Sequence, residues 1–516
     1  MFTGLRHFRR ILSVARTLAR HDALFPLERA GLPRAAPFLI RLFLFAPRNS
    51  GAASRRPGER ITAALTELGP ASVKLGQALS VRPDIVGDAL AEDLRSLQDQ
   101  LPPFDGQLAR QAVEAELGRP VEEMFAAFDT DPIAAASISQ VHRAKLGDGR
   151  DVAVKVLRPG IESAFARDLD LARWAAQKIE SARPDLRRLK PVEAIDTIIR
   201  SVEIEMDLRF EAAAADELRE NFSDEPRFSV PDVDWAHTGR RVMTTEWIDA
   251  APVNELDLEK LPPGDAEDIV ANFAKIFFLQ VFRDGFFHAD LHPGNMFIDD
   301  DGVFHAIDFG IMGRLDKRTR QYLAEMLHGF LTGNYQQVAA VHIRAGYVPA
   351  DQSVDEFAQA ARSIAEPILG LPLGEISLAR LLAQLFGITE KFQMEAQPQL
   401  LLLQKTMLVA EGVGRRLCPD VNMWELARPL IEGWMMENMG PEARIREAAD
   451  SMLDVLERLP YLISEMEESL GHAARHGIRV DPASLGALAG GNGRRGNWRI
   501  WAMAAAAVVV IAVILD

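Results

Sequence analysis

The sequence of 516 residues has little of several features that define other protein classes. Its one cysteine, Cys418, excludes a disulfide framework and a metal site built from several cysteines. Acidic residues outnumber basic ones, and the net charge of −16 argues against nucleic acid as a partner. No repeat with a period of about 20 to 50 residues is evident, which argues against a solenoid. The hydrophobic content of 48% and the charged content of 26% are those of a globular protein that is long enough for two or three domains.

The most informative pattern lies in the middle of the chain, where His288–Asn295 reads HADLHPGN and Asp308–Gly310 reads DFG. Because Asp290 precedes Asn295 by five residues, it can accept the proton of an attacking hydroxyl while Asn295 holds a metal. Asp308 can then bridge Mg²⁺ to the β- and γ-phosphates of ATP. Two short predicted strands separate the motifs, Phe297–Ile298 and His305–Ile307. The spacing predicts the phosphoryl-transfer half of a kinase active site, with ATP and Mg²⁺ as cofactors. The alternative is a polar turn before an Asp-Gly hairpin.

The other half of such a site is predicted upstream, in the β-branched strand Val152–Val156. A lysine in an apolar strand is costly to bury unless an anion meets it. Lys155 is therefore expected to reach the α- and β-phosphates of the nucleotide. Ser139–Leu146 forms a second predicted strand, and Gly147–Arg150 forms the hairpin turn that joins the two.

Where a kinase carries a glycine-rich phosphate loop, this chain has alanines. The predicted ATP-binding loop consists of Ile133, Ala134, Ala135, Ala136, Ser137, Ile138, Ser139, Gln140 and Val141. Small residues let the backbone approach phosphate, but alanine restricts positive φ angles where glycine does not. We interpret the segment as a nucleotide-binding loop of reduced flexibility, with a purely structural turn as the alternative.

Two further segments indicate a family. Leu68–Ser80 contains the sequence KLGQ, with Lys74 as its first residue, and is followed by Arg82–Asp84; Glu205–Ala213 reads EMDLRFEAA. Together with the alanine-rich loop and the motifs around Asp290, these segments resemble the UbiB family, the atypical kinase-like proteins of ubiquinone biosynthesis, over roughly residues 60–430. The resemblance implies an α+β, bilobal protein-kinase-like fold. It also implies a family-specific N-terminal helical extension, a largely helical C-lobe and a C-terminal membrane helix.

The same resemblance implies roles for individual residues. Glu211 is expected to pair with Lys155. A gate over the cleft is implied to consist of Lys74, Gln77, Glu205 and Asp207. Backbone contacts with the adenine edge are implied at Glu246 and Ile248, where the predicted strand Val242–Asp249 runs into the hinge. Arg415 and Arg416 resemble a family motif without an assigned chemical role.

Two departures from protein kinases bear on the function. Protein kinases place a lysine two residues after the catalytic aspartate, where it steadies the transferring phosphate, and this chain has His292 there. No Ala-Pro-Glu sequence follows Asp308–Gly310, so the usual platform for a peptide substrate is missing.

Both ends of the chain predict contact with a membrane. Residues 1–21 combine basic residues with apolar positions at helical spacing, which indicates an amphipathic helix on an anionic surface. A mitochondrial transit peptide and a basic helix packed on the protein body are the alternatives. Segment 498–515 is uncharged from Ile500 to Leu515 and is predicted to be a membrane span after a glycine-rich tether, with the body on the cytoplasmic side.

The predicted domains are a membrane-associated N-terminus at 1–50, the helical extension at 51–120, an N-lobe at 121–250, a C-lobe at 251–440, a helical tail with the tether at 441–497 and the membrane helix at 498–515.

Three functions follow as hypotheses. The first is an ATP-dependent atypical kinase or ATPase required for ubiquinone biosynthesis, which acts at the membrane on or beside quinone precursors and lipids and supports the enzymes of that pathway. The second is a protein kinase that phosphorylates those enzymes, and the third is a nucleotide-gated lipid-binding protein without obligatory phosphoryl transfer. The expected location is the bacterial inner membrane, with the matrix side of the mitochondrial inner membrane as the alternative. No nucleic acid is expected as a partner, and a homodimer stays open.

Overall fold

The computed structural model describes residues 2–24, 55–80, 102–182, 191–256, 265–368 and 397–440, with single positions between 87 and 97 and short pieces between 371 and 394. The chain divides into one compact unit, Met1–Met435, and a second unit, Met436–Asp516, of which residues 436–440 are described.

Helices make up most of the described chain. In chain order they are α1 (Phe2–Arg20), α2 (Pro57–Leu68), α3 (Pro70–Ser80), α4 (Gly106–Leu117), α5 (Val121–Met124), α6 (Ile161–Ala182), α7 (Pro191–Glu205), α8 (Leu208–Asn221), α9 (Asp265–Phe278), α10 (Lys317–Leu331), α11 (Tyr335–Arg344), α12 (Val354–Ala365), α13 (Pro398–Leu417) and α14 (Met423–Met439). The helices from α9 onward confirm the prediction of a largely helical C-lobe, and α2 to α4 confirm that the extension is helical where it is described.

The strands are short and form three sheets. In chain order they are β1 (Phe125–Phe128), β2 (Ala134–Ala135), β3 (Ser139–Leu146), β4 (Asp151–Leu157), β5 (Phe228–Ser229), β6 (Val242–Glu246), β7 (Ala251–Pro252), β8 (Phe286–His288), β9 (Met296–Ile298), β10 (Phe304–Ala306) and β11 (Met312–Arg314). The N-lobe sheet has the order β1-β3-β4-β6, with β2 paired to β3; the C-lobe sheets have the orders β5-β10-β9-β7 and β11-β8.

The N-lobe sheet places Lys155 on its inner strand. Successive side chains of a strand point to opposite faces, so the valines of β4 are buried in a cluster with Val113 of α4 while Lys155 lies on the other face. The predicted hairpin of β3 and β4 is confirmed, and Gly149 takes the positive φ of 93° in its turn. The predicted strand Val242–Asp249 ends earlier, at Glu246, which lies opposite Val152 near the start of β4. Trp247 N still donates to the carbonyl of Asp151, the first residue of β4, at 3.1 Å.

The C-lobe strands bring the two kinase motifs together. The predicted strands between the motifs are confirmed as β9 and β10, with Phe304 opposite Ile298 and boundaries shifted by one residue. The pair of β8 and β11, which the sequence patterns do not predict, places His288 opposite Met312. Because β8 leads into the loop of Asp290 and β11 follows the Asp308 motif, this pairing sets the two motifs side by side.

One hydrophobic cluster crosses from lobe to lobe. It joins buried residues of the N-lobe helices, such as Phe165 and Leu218, to buried residues of the catalytic segments, such as Leu291 and Phe309. Val413 of α13 belongs to the same cluster. The catalytic loops are therefore supported by a continuous apolar core.

Helix α1 confirms that the N-terminus is helical, and its second half packs on the body. Arg10 makes a bidentate ion pair with Asp168 of α6 at 2.7 and 2.6 Å, and Arg20 pairs with Glu67 at 2.7 Å. Ala19 is fully buried. At least two of the basic residues predicted to face a membrane thus make ion pairs within the protein, as the alternative of a packed basic helix expects. Contact of the helix with a membrane stays a prediction.

The membrane span was predicted at 498–515, which lies outside the described residues together with the glycine-rich tether. Among the helices of the described ranges, none is long and apolar enough to cross a bilayer.

Candidate active site

Lys155 forms the centre of the first part of the site. Its Nζ donates to Oε1 of Glu211 at 2.6 Å and to Oδ1 of Asp308 at 3.1 Å. The three residues come from β4, the first turn of α8 and the loop after β10. The side chains of Lys155 and Glu211 are 16% and 9% exposed, so this ion pair is largely removed from water. The structure therefore brings together the lysine, the helix carboxylate and the metal carboxylate that the sequence analysis singled out.

The charges of this cluster are coupled. Burial alone would lower the pKa of Lys155, but the carboxylates of Asp308 and Glu211 raise that pKa above its ordinary value. Partial removal from water would raise the pKa of Asp308, but the charge of Lys155 and the hydrogen bond from it lower that pKa to about 2. Burial raises the pKa of Glu211, and so does the negative charge of Asp308, because Lys155 offsets these two effects only in part. Lys155 is cationic and Asp308 is anionic at neutral pH.

Asp308 has an unusual backbone. Its φ of 60° lies in the left-handed region, which non-glycine residues enter rarely and which is concentrated at functional sites. The conformation directs the carboxylate to Lys155, and Gly310 N donates to the same Oδ1 at 3.4 Å. With 45% of its side chain exposed, Asp308 keeps a surface open to a ligand.

A buried histidine holds the catalytic loop. Asp290 N donates to Nδ1 of His288 at 3.1 Å, and Nε2 of His288 lies 3.1 Å from the Ile307 carbonyl. These contacts assign the proton to Nε2, and burial lowers the pKa of His288, so the ring is neutral. The histidine thereby links the backbone of Asp290 to the residue that precedes Asp308.

The metal ligands predicted from the sequence fit Mg²⁺. Asn295 Nδ2 donates to the Asp290 carbonyl at 3.1 Å, which leaves the Asn295 Oδ1 as the atom available to a cation. Mg²⁺ is commonly bound through one or two protein oxygens together with substrate phosphates and waters. An anionic Asp308 and an oriented Asn295 meet that requirement. Within the described ranges no group of three or more His, Cys, Asp or Glu side chains forms an all-protein metal site.

The alanine-rich loop is a hairpin with ordinary backbone angles. Ala134 lies opposite Val141 and Ala135 opposite Gln140, and Ala136 N donates to the Ser139 carbonyl at 2.8 Å. None of the residues from Ile133 to Val141 is among those with positive φ. Alanine therefore fits this loop without strain, and glycine would add freedom rather than relieve a constraint.

Arg158 holds the loop to the segment that follows the extension. Its Nη2 donates to the Ala136 carbonyl at 3.0 Å and to the Pro102 carbonyl at 2.8 Å. The buried Gln140 side chain also accepts from Phe104 N at 3.0 Å and donates to the Phe104 carbonyl at 3.3 Å. The sequence predicts that Gln140 contacts the nucleotide, whereas in the structure its side chain forms hydrogen bonds with the backbone of Phe104.

Of the four residues predicted to form the gate, Lys74 and Glu205 contact each other, whereas Gln77 and Asp207 also bond to other partners. Lys74 Nζ lies 2.9 Å from Oε2 of Glu205, with 14% and 16% of the two side chains exposed. Gln77 donates to the Leu97 carbonyl at 3.3 Å. The Asp207 carboxylate accepts from Arg209 Nη2 at 2.7 Å and caps α8, a role that the sequence analysis did not predict, and the bond from Arg209 lowers the pKa of Asp207.

The glycine of the Lys-x-Gly-Gln segment has a packing reason. A Cβ atom on Gly76 would lie 2.4 Å from Cδ1 of Leu97 and 2.7 Å from Cδ1 of Leu65. A side chain at this position would require both leucine side chains to move, so glycine lets α3 pack closely against them in the segment that also carries Lys74.

The predicted hinge residues lie at the end of β6 and just after it. Glu246 is exposed at the end of the strand, and its amide donates to the Asp232 carbonyl at 2.8 Å. Ile248 is half-buried two residues later, where the chain has left the sheet. Contact of either residue with adenine stays a prediction.

Two functional contacts on α13 were missed by sequence reasoning. Lys405 Nζ lies 2.6 Å from Oδ1 of Asp290, and Arg416 Nη2 donates to the Asn254 carbonyl at 2.5 Å. The signal that could have pointed to Lys405 is His292, which stands where protein kinases carry a lysine. Arg416, to which no role was assigned, attaches α13 to the segment after the hinge.

Comparison with known proteins shows a kinase-like family. A family model described as the ABC1 atypical kinase-like domain matches residues 96–342, and the UbiB helical domain matches residues 361–422. The "Probable protein kinase UbiB" of Marinobacter nauticus is 40% identical over 472 residues, which cover 90% of this chain and 86% of the relative. The protein of the same name from Vibrio vulnificus is 39% identical over 520 residues, which cover 100% of this chain and 94% of the relative. A solved Mycobacterium tuberculosis structure, titled as the complex of Rv3197 with erythromycin, is 29% identical, covers 71% of this chain and 93% of that chain, and has a TM-score of 0.49.

Proposed function

The chain belongs to the UbiB family of atypical kinase-like proteins, and from that premise we propose that it is an ATP- and Mg²⁺-dependent phosphotransferase or ATPase that supports ubiquinone biosynthesis. The observation that carries the proposal is the contact of Lys155 with both Glu211 and Asp308. This arrangement orients the lysine toward the α- and β-phosphates while the carboxylate that is to hold the metal lies beside it.

The residues divide the work of phosphoryl transfer. Lys155 binds the α- and β-phosphates, and Asp290 accepts the proton of the attacking hydroxyl or water. Asn295 and Asp308 would hold Mg²⁺, which when bound neutralises charge on the phosphates. His288 bonds to the backbone of Asp290 and of Ile307, and it thereby holds the base at a fixed separation from Asp308.

Water or a small acceptor is favoured over a protein substrate. The platform for a peptide is missing from the sequence after Asp308, and the Lys74–Glu205 ion pair attaches the extension to the corner that leads into α8. Glu205 is six residues from Glu211, so the extension is coupled to the helix that orients Lys155. The protein-kinase alternative is supported by the names of the relatives from Marinobacter and Vibrio.

We further propose that the protein works at the cytoplasmic face of a bacterial inner membrane, beside quinone precursors and the enzymes that modify them. The basic helix α1 and the apolar segment 498–515 support this proposal from the two ends of the chain. A homodimer is compatible with it.

The test follows the γ-phosphate of [γ-³²P]ATP with the full-length protein. Vesicles of phosphatidylcholine with phosphatidylglycerol, and a prenylated phenol as a mimic of a quinone precursor, are added separately and together. Free phosphate that rises with both additions supports the proposal, and label that accumulates on added pathway enzymes supports the protein-kinase alternative. Asp308→Asn is the control for contaminating activity.

A genetic test addresses the biological role. Deletion of the gene is expected to leave the cell short of ubiquinone, and Asp290→Asn is expected not to complement the deletion. Full rescue by Asp290→Asn would leave only the lipid-binding hypothesis, and normal quinone content in the deletion strain would remove the role in this pathway.

A further inference from the structure

The catalytic loop lacks its own cation for the transferring phosphate. His292 stands two residues after Asp290, and its Nδ1 accepts from Gly294 N at 3.1 Å, so the ring stabilises the turn of the loop. A phosphoryl group in transfer carries negative charge on its equatorial oxygens, which kinases neutralise with metal and with cationic side chains. An intact base with no adjacent cation would be an incomplete site.

We propose that Lys405 of α13 supplies this cation and contacts the γ-phosphoryl group during transfer. Its Nζ lies 2.6 Å from Oδ1 of Asp290, the residue that accepts the proton of the acceptor. The attacking oxygen must lie between Asp290 and the γ-phosphorus, so an ammonium in contact with Asp290 is within reach of the γ-phosphate oxygens. The inference deepens the proposed function and rests on it, since it assigns a further catalytic residue to the same reaction.

The helix that carries Lys405 contacts the catalytic segments at two places and the segment after the hinge at a third. Thr406 is buried, and its hydroxyl lies 3.1 Å from the Leu402 carbonyl of its own helix and 3.4 Å from the His288 carbonyl in the strand that leads to Asp290. Val413 packs in the same buried cluster as Leu291 of the catalytic loop. Arg416 attaches the far end of α13 to the Asn254 carbonyl. A helix held in this way presents Lys405 at a fixed height above the loop.

The exposure of the pair suits an exchange of partners. The side chain of Lys405 is 50% exposed and that of Asp290 is 24% exposed, so the ion pair is in contact with water and is weak. The ammonium has three donors and can keep Asp290 while it donates to a phosphate oxygen. Lys405 can therefore hold the base in place before the nucleotide binds and can stabilise the phosphoryl group afterwards.

The reaction step balances without a further reactant. The oxygen of water or of an acceptor hydroxyl forms a bond to the γ-phosphorus, and its proton passes to the Asp290 carboxylate. The bond between the γ-phosphorus and the β–γ bridging oxygen breaks, and ADP leaves with the bonding electrons. Lys405 neutralises charge on the equatorial oxygens and takes no part in bond making.

The test uses Lys405→Ala and Lys405→Arg in the full-length protein, with Lys145→Ala as the matched control. Lys145 is 47% exposed and lies 3.8 Å from Asp151 in a weak surface pair, so it resembles Lys405 in burial and differs in place. Loss of one electrostatic group at a transition state typically costs about 10²–10³-fold in kcat. We expect that loss for Lys405→Ala, a smaller loss for Lys405→Arg, and none for the control.

A second variant separates a chemical role from a structural one. Lys405→Ala combined with His292→Lys places a lysine where protein kinases carry it and is expected to recover at least about a tenth of the lost activity. The affinity for Mg·ADP, which has no γ-phosphate, is expected to stay within about twofold of wild type in Lys405→Ala. The affinity for a non-hydrolysable ATP analogue is expected to fall by about tenfold.

The outcomes are distinct. A rise in kcat for Lys405→Ala would show that the pair with Asp290 is an inhibitory latch, and an unchanged kcat would exclude any contact in the transition state. An equal loss of ADP and analogue binding would make Lys405 structural. If the wild-type protein hydrolyses and transfers nothing, the proposed function fails, yet the difference between ADP and analogue binding still decides whether Lys405 meets the γ-phosphate.

Discussion

Lys155 and Lys405 each contact a carboxylate of the active site at 2.6 Å, yet the two pairs are built differently. Lys155 is 16% exposed and shares two carboxylates, whereas Lys405 is 50% exposed and lies on Asp290 from outside the kinase-like core. The first arrangement is preorganised, because burial makes separation of the charges costly. The second is exchangeable, because water screens it. One lysine can therefore position the nucleotide permanently while the other responds to the phosphate that moves.

The largest effect is expected from Asp308→Asn, in the cluster that Lys155 forms with Glu211 and Asp308. The change removes the charge that is expected to hold Mg²⁺, and nucleotide turnover is expected to fall by about 10³-fold or more. Mg-dependent binding of ADP should weaken in the same variant, as measured by calorimetry. Wild-type turnover in Asp308→Asn would refute the assignment of Asp308 as a metal ligand.

The difference in burial between Lys155 and Lys405 predicts different losses in the free energy of unfolding when each lysine is replaced. Lys155→Met leaves Glu211 buried without its cation, and removal of one partner of a buried pair costs about 3 kcal/mol or more. Lys405→Ala should cost less than about 1 kcal/mol, because the pair that it breaks is open to solvent. Thermal unfolding of the two variants side by side checks the prediction.

A double variant controls that measurement. Lys155→Met with Glu211→Met replaces the ion pair by apolar side chains, so the thermal midpoint should recover in large part while turnover stays absent. Equal midpoints for Lys155→Met and Lys405→Ala would show that the two pairs do not differ as their exposure suggests.

A third ion pair, about as buried as that of Lys155 and Glu211, joins the extension to the N-lobe. Lys74→Ala removes the contact with Glu205, which lies at the corner before α8, and is expected to loosen the extension. Label on the protein itself should then rise several-fold in an autophosphorylation assay, while Lys145→Ala should leave it unchanged. The same level of label in both variants would mean that the pair with Glu205 does not restrict access to the cleft.

The smallest effect is expected in the alanine-rich loop. Ala134→Gly, Ala135→Gly and Ala136→Gly each add backbone freedom worth about 0.5–1 kcal/mol to a hairpin that is already unstrained. The affinities for ADP and ATP should shift by up to about fivefold, and autophosphorylation should rise. Ala127→Gly, at an exposed position of β1 in the same sheet, is the matched control. Affinities unchanged in all three variants would show that the loop does not touch phosphate.

Much of the site could be predicted because its signals are local. Lys155 was recognisable as the one charge in an apolar strand, and Asp290, Asn295 and Asp308 by spacings that need only a loop and two short strands. The pairing of Lys155 with Glu211 came from the resemblance to the family rather than from any pattern in the residues. The strand before the hinge was predicted too long, because its end depends on where the partner strand begins.

The sequence alone determined the chemistry of the core site, the helical or extended state of its main segments and the family to which the chain belongs. The tertiary structure decided which distant groups complete the site. Lys405 is 115 residues from Asp290, and Arg158 is 56 residues from the Pro102 carbonyl that it binds. A lysine on a helix and an arginine after a strand carry no pattern of their own in the sequence. Their partners are set by how α13 and the N-lobe sheet pack, since an ion pair or a hydrogen bond forms only where folding brings the two atoms within about 3 Å.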